Sequence, residues 1–153
     1  MTDTRALVLE ALELARALLA GGTMLAEEVA SRFGAIDRRG SGTRSLMTVP
    51  ESPVLRRVVV SGDDNGRAQA VTLDIADGSA LDLAALEARF GSPAEAGVAG
   101  PGQILVFGWN EPIRIHASVE RSEGVILTDH ITVERAYPLA SVPNASGGPN
   151  LSS

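Results

Sequence analysis

The stretch "RIHASVERSEGVILTDHITVER", Arg114 to Arg135, holds both histidines of the chain, His116 and His130. Two imidazoles brought together could serve as general acid and base, supply two ligands to a metal, or change charge together near neutral pH. Whether they meet depends on how the segment folds back. Ile113, Ile115, Ala117 and Val119 alternate along its first half, and Val125, Leu127, Ile131 and Val133 along its second. A two-residue turn at Ser122-Glu123 would set these apolar rows on opposite faces of a sheet. A three-residue loop, Ser122-Glu123-Gly124, with the glycine left-handed, sets them on one face. That loop predicts Ile113 opposite Val133, Ile115 opposite Ile131, Val119 opposite Leu127 and, on the outer face, His116 opposite His130.

The pair then sits among Arg114, Ser118, Thr128 and Thr132, which is short of a catalytic set. Catalytic zinc wants three protein ligands, and these neighbours include no carboxylate. A dyad would also want an orienting acid, yet Asp129 falls on the apolar side of its strand. No metal and no cofactor is expected, and the plainer alternative is two solvated histidines on a polar sheet face. A surface whose charge responds to pH is the reading between. Asp129 itself must lie at a sheet edge, in a bulge or beside an arginine, because a lone buried carboxylate is costly; the edge is preferred.

The preceding segment, "ILVFGWNEPI", decides what else shares the outer face. A two-residue turn at Asn110-Glu111 places Ile104 and Val106 inside and Leu105, Phe107 and Trp109 outside, near Arg114 and His116. A loop one residue longer reverses this, but it asks Pro112 to take a left-handed conformation that its ring forbids. The preference for burying Leu, Phe and Trp argues the other way. On the turn chemistry, the candidate binding residues are Leu105, Phe107, Trp109, Arg114, His116 and His130.

Upstream elements must position this hairpin. Thr4 is the N-cap of a helix whose Leu7, Val8, Ala11, Leu12, Leu14, Ala15, Leu18 and Leu19 form a broad apolar stripe, ended by Gly21-Gly22. Thr23 caps a second helix carrying Leu25, Val29 and Phe33, with Gly34 as its stop, and the two form an antiparallel pair. "RRGSGTR" then offers either an anion-binding nest or an ordinary solvated hairpin tip, and the tip is preferred. A short strand is expected at Ser45 to Val49, pairing with Ala35 to Asp37. In "VLRRVVVSGDDNGRAQAVTLDI", Asn65-Gly66 suits a type I′ turn that sets Val60 opposite Val71, Val58 opposite Leu73 and Arg57 opposite Asp74. Asp82 caps a third helix with a Leu81–Leu86 staple and Gly91 as stop. Ser92 to Gly102 reads as a loop, and the rest as a three-stranded antiparallel meander.

The fold class is therefore α+β: a helix pair, a β-hairpin, a helix and a meander, with the helices on one face of an antiparallel sheet. Residues 1–136 form one domain, and the turn-rich 137–153 reads as a disordered tail.

Composition narrows the function. Net charge is -6 and all 13 basic residues are arginine, which argues against nucleic-acid binding and rules out lysine Schiff-base chemistry. Cysteine is absent, so thiolate metal sites, disulfides and cysteine nucleophiles are excluded. No membrane span and no secretory leader is readable at the N-terminus, so the expected location is cytoplasmic.

The second and third helices end alike, in "VASRFG" (Val29 to Gly34) and "LEARFG" (Leu86 to Gly91). Superposing Phe33 on Phe90 brings Met24 onto Leu81 and Val29 onto Leu86, which suggests half-repeats at 24–78 and 81–135. A helix ending in Phe-Gly and followed by a meander resembles the repeat of the β-lactamase-inhibitory-protein-like fold, shared by the small lipoprotein of outer-membrane β-barrel assembly. The resemblance implies a noncatalytic binder, with helices on one sheet face and a partner protein on the other; the chain departs from it in lacking a leader, a lipidated cysteine and disulfides.

The expected function is a noncatalytic protein-binding module of immunity, inhibitor or adaptor type. Its expected partner is another protein, a basic one suiting the acidic charge. Alternatives are a small acidic secretion chaperone, a hydrolase or lyase using His116 and His130, and a small-ligand carrier with a cavity between helices and sheet. The first helix is also a candidate homodimer interface.

Overall fold

A computed structural model of the chain describes residues 4–76, 79–99, 102–109, 111–122 and 124–135. Residues 137–153, for which an unpacked tail is expected, lie outside these. The architecture is α+β: helices α1 (Thr4–Ala20) and α2 (Ala26–Ser31), strands β1 (Gly34–Asp37), β2 (Ser45–Pro50), β3 (Leu55–Gly62), β4 (Ala68–Ile75) and β5 (Leu81–Asp82), helix α3 (Leu83–Phe90), then β6 (Ala94–Ala99), β7 (Gly102–Phe107), β8 (Ile113–Ser122) and β9 (Val125–Arg135). The antiparallel sheet runs β1-β2-β3-β4-β9-β8-β7-β6, and β5 adds to one end of β9. Two four-stranded meanders, β1 to β4 and β6 to β9, thus meet at a β4–β9 seam. Each follows a helix.

One core lies between helices and sheet. Val8, Leu12, Ala15 and Leu19 of α1, Val29 and Ala30 of α2 and Leu86 of α3 close over Val58, Val60, Val71, Leu73, Ile131 and Val133. The apolar stripe of α1 is therefore spent inside the chain's own core. Helix α1 packs on β4, β8 and β9, while α2 packs on β1 to β4; the sheet, more than the other helix, holds each in place. Helix α2 is shorter at both ends than the sequence implies. Its cap is Leu25, whose backbone N–H donates to Glu28 Oε1 at 2.9 Å. Gly34 does not stop the helix but opens β1, where a Cβ would come within 2.2 Å of the Val49 carbonyl oxygen, a close approach that only glycine allows.

The β1–β2 pairing expected from sequence is present, with Ala35 opposite Val49 and Asp37 opposite Met47. The "RRGSGTR" segment is a tip, not a nest. Asp37 accepts from the Arg39 N–H, Ser41 Oγ accepts from the Met47 N–H, Arg38 pairs with Glu27, and Arg44 pairs with Asp64. In the β3–β4 hairpin, Arg57 faces Asp74, Val58 faces Leu73 and Val60 faces Val71, as the residue pattern requires. The turn differs from a plain two-residue one: the Gly66 N–H donates to the Asp63 carbonyl, Gly66 is left-handed, and a one-residue shift beside Gly62 restores the register. Asp82 caps α3 through the Ala85 N–H, and Leu81 and Leu86 are buried as a staple needs. The segment read as a loop before Gly102 contains β6, so the last sheet portion has four strands, not three.

Candidate functional site

The β8–β9 hairpin differs from expectation in two compensating places. Ser122 pairs with Val125, so the connection is two residues, 123–124, with Gly124 left-handed. Near the tip this gives Val119 opposite Thr128, and Val125 is turned to solvent. The next pair is Ser118 with His130, which skips Asp129. Asp129 is the extra residue of a β-bulge, exposed and off the apolar row. Beyond the bulge the faces reverse, and Ala117–Ile131 and Ile115–Val133 enter the core. The edge reading of Asp129 gives way to the bulge reading, because expelling one residue avoids burying a carboxylate.

His116 consequently faces Thr132, and His130 faces Ser118. The histidines are diagonal neighbours, at positions where Cα atoms stand about 7–8 Å apart, and not an opposed pair. His130 is exposed and lies directly opposite Asp74 of β4.

A second parity change affects the aromatic strand. Phe107 pairs with Ile115 and Leu105 with Ala117, so both point into the core, at 1% and 7% exposure. These two are not outer-face residues. The obstacle to this longer loop was Pro112, but the left-handed residue is Gly108 (φ 72°), and the Glu111 N–H closes the turn onto the Gly108 carbonyl at 2.9 Å. Proline is never asked to adopt that conformation. Phe107 meets Phe90 of α3 edge to face, with centroids 6.5 Å apart. Val106 is also buried, on the side of its pairing partner His116.

Trp109 alone of the aromatic row stays out, half exposed at 50%. The Arg114 guanidinium lies over its ring, 4.7 Å from the centroid. Across the strand Arg114 faces Glu134, and Glu134 Oε1 lies 2.6 Å from His116 Nε2. That nitrogen is buried, and its approach to the carboxylate is the closest contact Glu134 makes at this site. The His116 contact holds the Glu134 carboxyl below its ordinary range; burial opposes this and the charges of His116 and Arg114 support it. Arg114 Nε is also buried and has no hydrogen-bond partner among the described residues. The site is therefore Trp109, Arg114, His116 and Glu134. Glu134 is the residue the sequence reading missed, although the opposite-charge rule that pairs Arg57 with Asp74 would have pointed from Arg114 to it.

These groups sit beside the seam. Thr72 and Thr132 face each other across it, hydroxyl to hydroxyl at 3.0 Å. On one side of this pair stands Asp74, reached by Arg57 at 2.8 Å and Arg56 at 3.0 Å. Burial would raise the Asp74 carboxyl, but the two guanidiniums outweigh it and keep its pKa low. On the other side stands Glu134 with Arg114. Arg57 and Arg114 occupy matching places in β3 and β8, each opposite a carboxylate on the seam strand. They are 57 residues apart, the same spacing as Phe33 and Phe90.

Among the described residues no group of three or more His, Asp or Glu side chains could hold a metal ion, and no helix is long and apolar enough to cross a membrane.

No protein-family model and no curated protein matches the sequence. Among solved structures, the fold is similar to that of a DUF4309 family protein (YjgB) from Bacillus subtilis, with a TM-score of 0.54 and 13% identity, over 82% of this chain and 97% of that one. At this identity the likeness concerns the fold alone.

Proposed function

We propose that the chain is a noncatalytic protein-binding module that uses the outer face of its sheet, and that it is built from two helix-plus-meander units, 24–78 and 81–135. The observation that carries the binding reading is Trp109, a half-exposed indole with Arg114 over its ring. Tryptophan and arginine are the residue types that most often dominate protein interfaces. Here the guanidinium lies over the indole, 4.7 Å from its centroid, which limits the side-chain freedom left to lose on binding. His116 and His130 belong to the same surface. The matched Arg57–Asp74 and Arg114–Glu134 pairs support the two-unit reading. The inhibitory-protein-like resemblance agrees on mode of action: helices behind, partner in front.

A hydrolase or lyase built on His116 and His130 has less support, since the two rings occupy diagonal positions and the groove beside α1 contains neither. The test is affinity capture from the native host with the wild-type chain and with Trp109→Ala. Retention of one specific protein by the wild type and its loss with the variant is the expected result. Equal recovery with both would remove Trp109 as an anchor and the binding reading with it.

A further inference from the structure

A groove on the helix side, away from Trp109's face, has a different chemistry. It runs between the second half of α1 and the β7–β8 turn, with a volume of about 490 Å³ bounded by Ala17, Ala20, Pro112 and Ile113. It continues into a smaller hollow of about 130 Å³ floored by Phe90, Phe107 and Ile115; Arg16, Glu111 and Ile113 line both. The combined space falls in the range that small organic ligands occupy.

At the mouth two guanidiniums converge on one carboxylate. Arg16 Nη1 lies 3.0 Å from Glu13 Oε1, and Arg89 Nη1 lies 3.6 Å from Glu13 Oε2. Arg16 is also stacked over the Phe90 ring at 5.2 Å, so its head group is fixed above the aromatic floor. Glu13 belongs to α1 and Arg89 to α3, so the arrangement ties the two helices together. We infer that the groove is a binding site for a small aryl carboxylate, whose ring enters the Phe90–Phe107 hollow and whose carboxylate takes over from Glu13 between Arg16 and Arg89. Charge complementarity fixes the orientation: the cationic side chains flank the aromatic floor. Glu111, the other acid of the lining, is exposed, and no ion pair joins it to Arg16 or Arg89 among the described residues. Glu13 is then an internal competitor, already making the contacts that the ligand would make.

Competition gives the inference a signature that ordinary structural importance does not share: removing Glu13 should improve binding. The full chain is titrated with 1-naphthylacetate and, separately, with uncharged 2-(1-naphthyl)ethanol. Calorimetry is the readout, with emission of Trp109, adjacent to Gly108 in the hollow's wall, as a second signal. Expected are saturable 1:1 binding of the acid, at least tenfold weaker binding of the alcohol, a several-fold gain for Glu13→Gln and a tenfold loss for Arg16→Gln. Arg89→Gln, which leaves the Phe90 stack intact, should show a similar loss and serves if Arg16→Gln folds poorly. Absence of saturable binding by the wild type, equal affinity for acid and alcohol, or no gain in Glu13→Gln would each overturn the inference.

Discussion

Phe107 and Trp109 are two residues apart on an aromatic strand, and the structure assigns them opposite fates. Replacing each by alanine separates those fates energetically. Phe107 is 1% exposed, meets Phe90 edge to face and packs in the single core; deleting a buried phenylalanine ring costs about 3–5 kcal/mol, transfer and cavity contributions together. With a urea m-value of roughly 2 kcal/mol/M, the unfolding midpoint of Phe107→Ala should fall by about 2 M. Since domains of this size are stable by only about 5–15 kcal/mol, the variant should be close to the limit of folding. Trp109 keeps half its surface in water and gains mainly its arginine stack, worth about 0.5–1 kcal/mol at an exposed site. Trp109→Ala should therefore shift the midpoint by about 0.5 M or less. The assay is urea unfolding followed by far-UV circular dichroism, which does not depend on the indole. A loss below about 1 kcal/mol for Phe107→Ala, or a larger loss for Trp109→Ala than for Phe107→Ala, would refute the strand parity and with it the identity of the exposed face.

Other consequences can be measured alongside. Asp63, Asp74 and Glu134 all have folded-state pKa values below their ordinary ones. For Asp63 burial pushes upward, but the Arg67 and Asn65 N–H groups and Arg135 prevail. A lowered carboxyl contributes stability above its unfolded pKa and loses it as pH falls through the folded value. Urea midpoints should thus decline from about pH 5 downward, and Glu134→Gln should flatten that decline without steepening it at neutral pH. Asp129→Ala should change stability by no more than about 0.5 kcal/mol, as at other exposed sites, and deleting Asp129 should leave a folded, soluble chain, because Thr128, His130 and Ile131 then alternate without a bulge opposite Val119, Ser118 and Ala117; urea unfolding would show it, and loss of soluble protein on deletion would refute the bulge. Gly108→Ala should cost about 1–2 kcal/mol, since Gly108 is left-handed and an added Cβ would sit 3.1 Å from the Ile113 carbonyl oxygen; thermal unfolding would show it, and a neutral result would remove Gly108 as the residue that sets the loop.

The sequence was most legible where one choice satisfied two independent demands. In the β3–β4 hairpin the same register buries Val58, Val60, Val71 and Leu73 and pairs Arg57 with Asp74, and that register is what forms. The Leu81–Leu86 staple and the Asp82 cap agree in the same way. Strand β6 was illegible because "AEAGVA" lacks the large apolar residues by which a strand is recognised, and because its pairing comes from β7 and not from its own pattern. The hairpins around the candidate site failed for a more instructive reason. Turn length alone, with one parity for the whole strand, describes neither of them.

A bulge removes that assumption. Asp129 stands in phase with Leu127 and Ile131, and a carboxylate in an apolar row is a local contradiction that no single turn length resolves. Skipping it resolves the contradiction and, together with the two-residue tip, changes which residues lie across from β8: Glu134 comes opposite Arg114, and Thr132 in place of His130 comes opposite His116. The composition of the outer face is thus decided by a residue that takes no part in the Trp109 site. Gly108 acts in the same way on β7, supplying the left-handed turn that sends Phe107 inward and leaves Trp109 at the rim. A residue that breaks a strand's alternation is accordingly evidence about the face as well as about itself, and it is the position from which the register should be rebuilt.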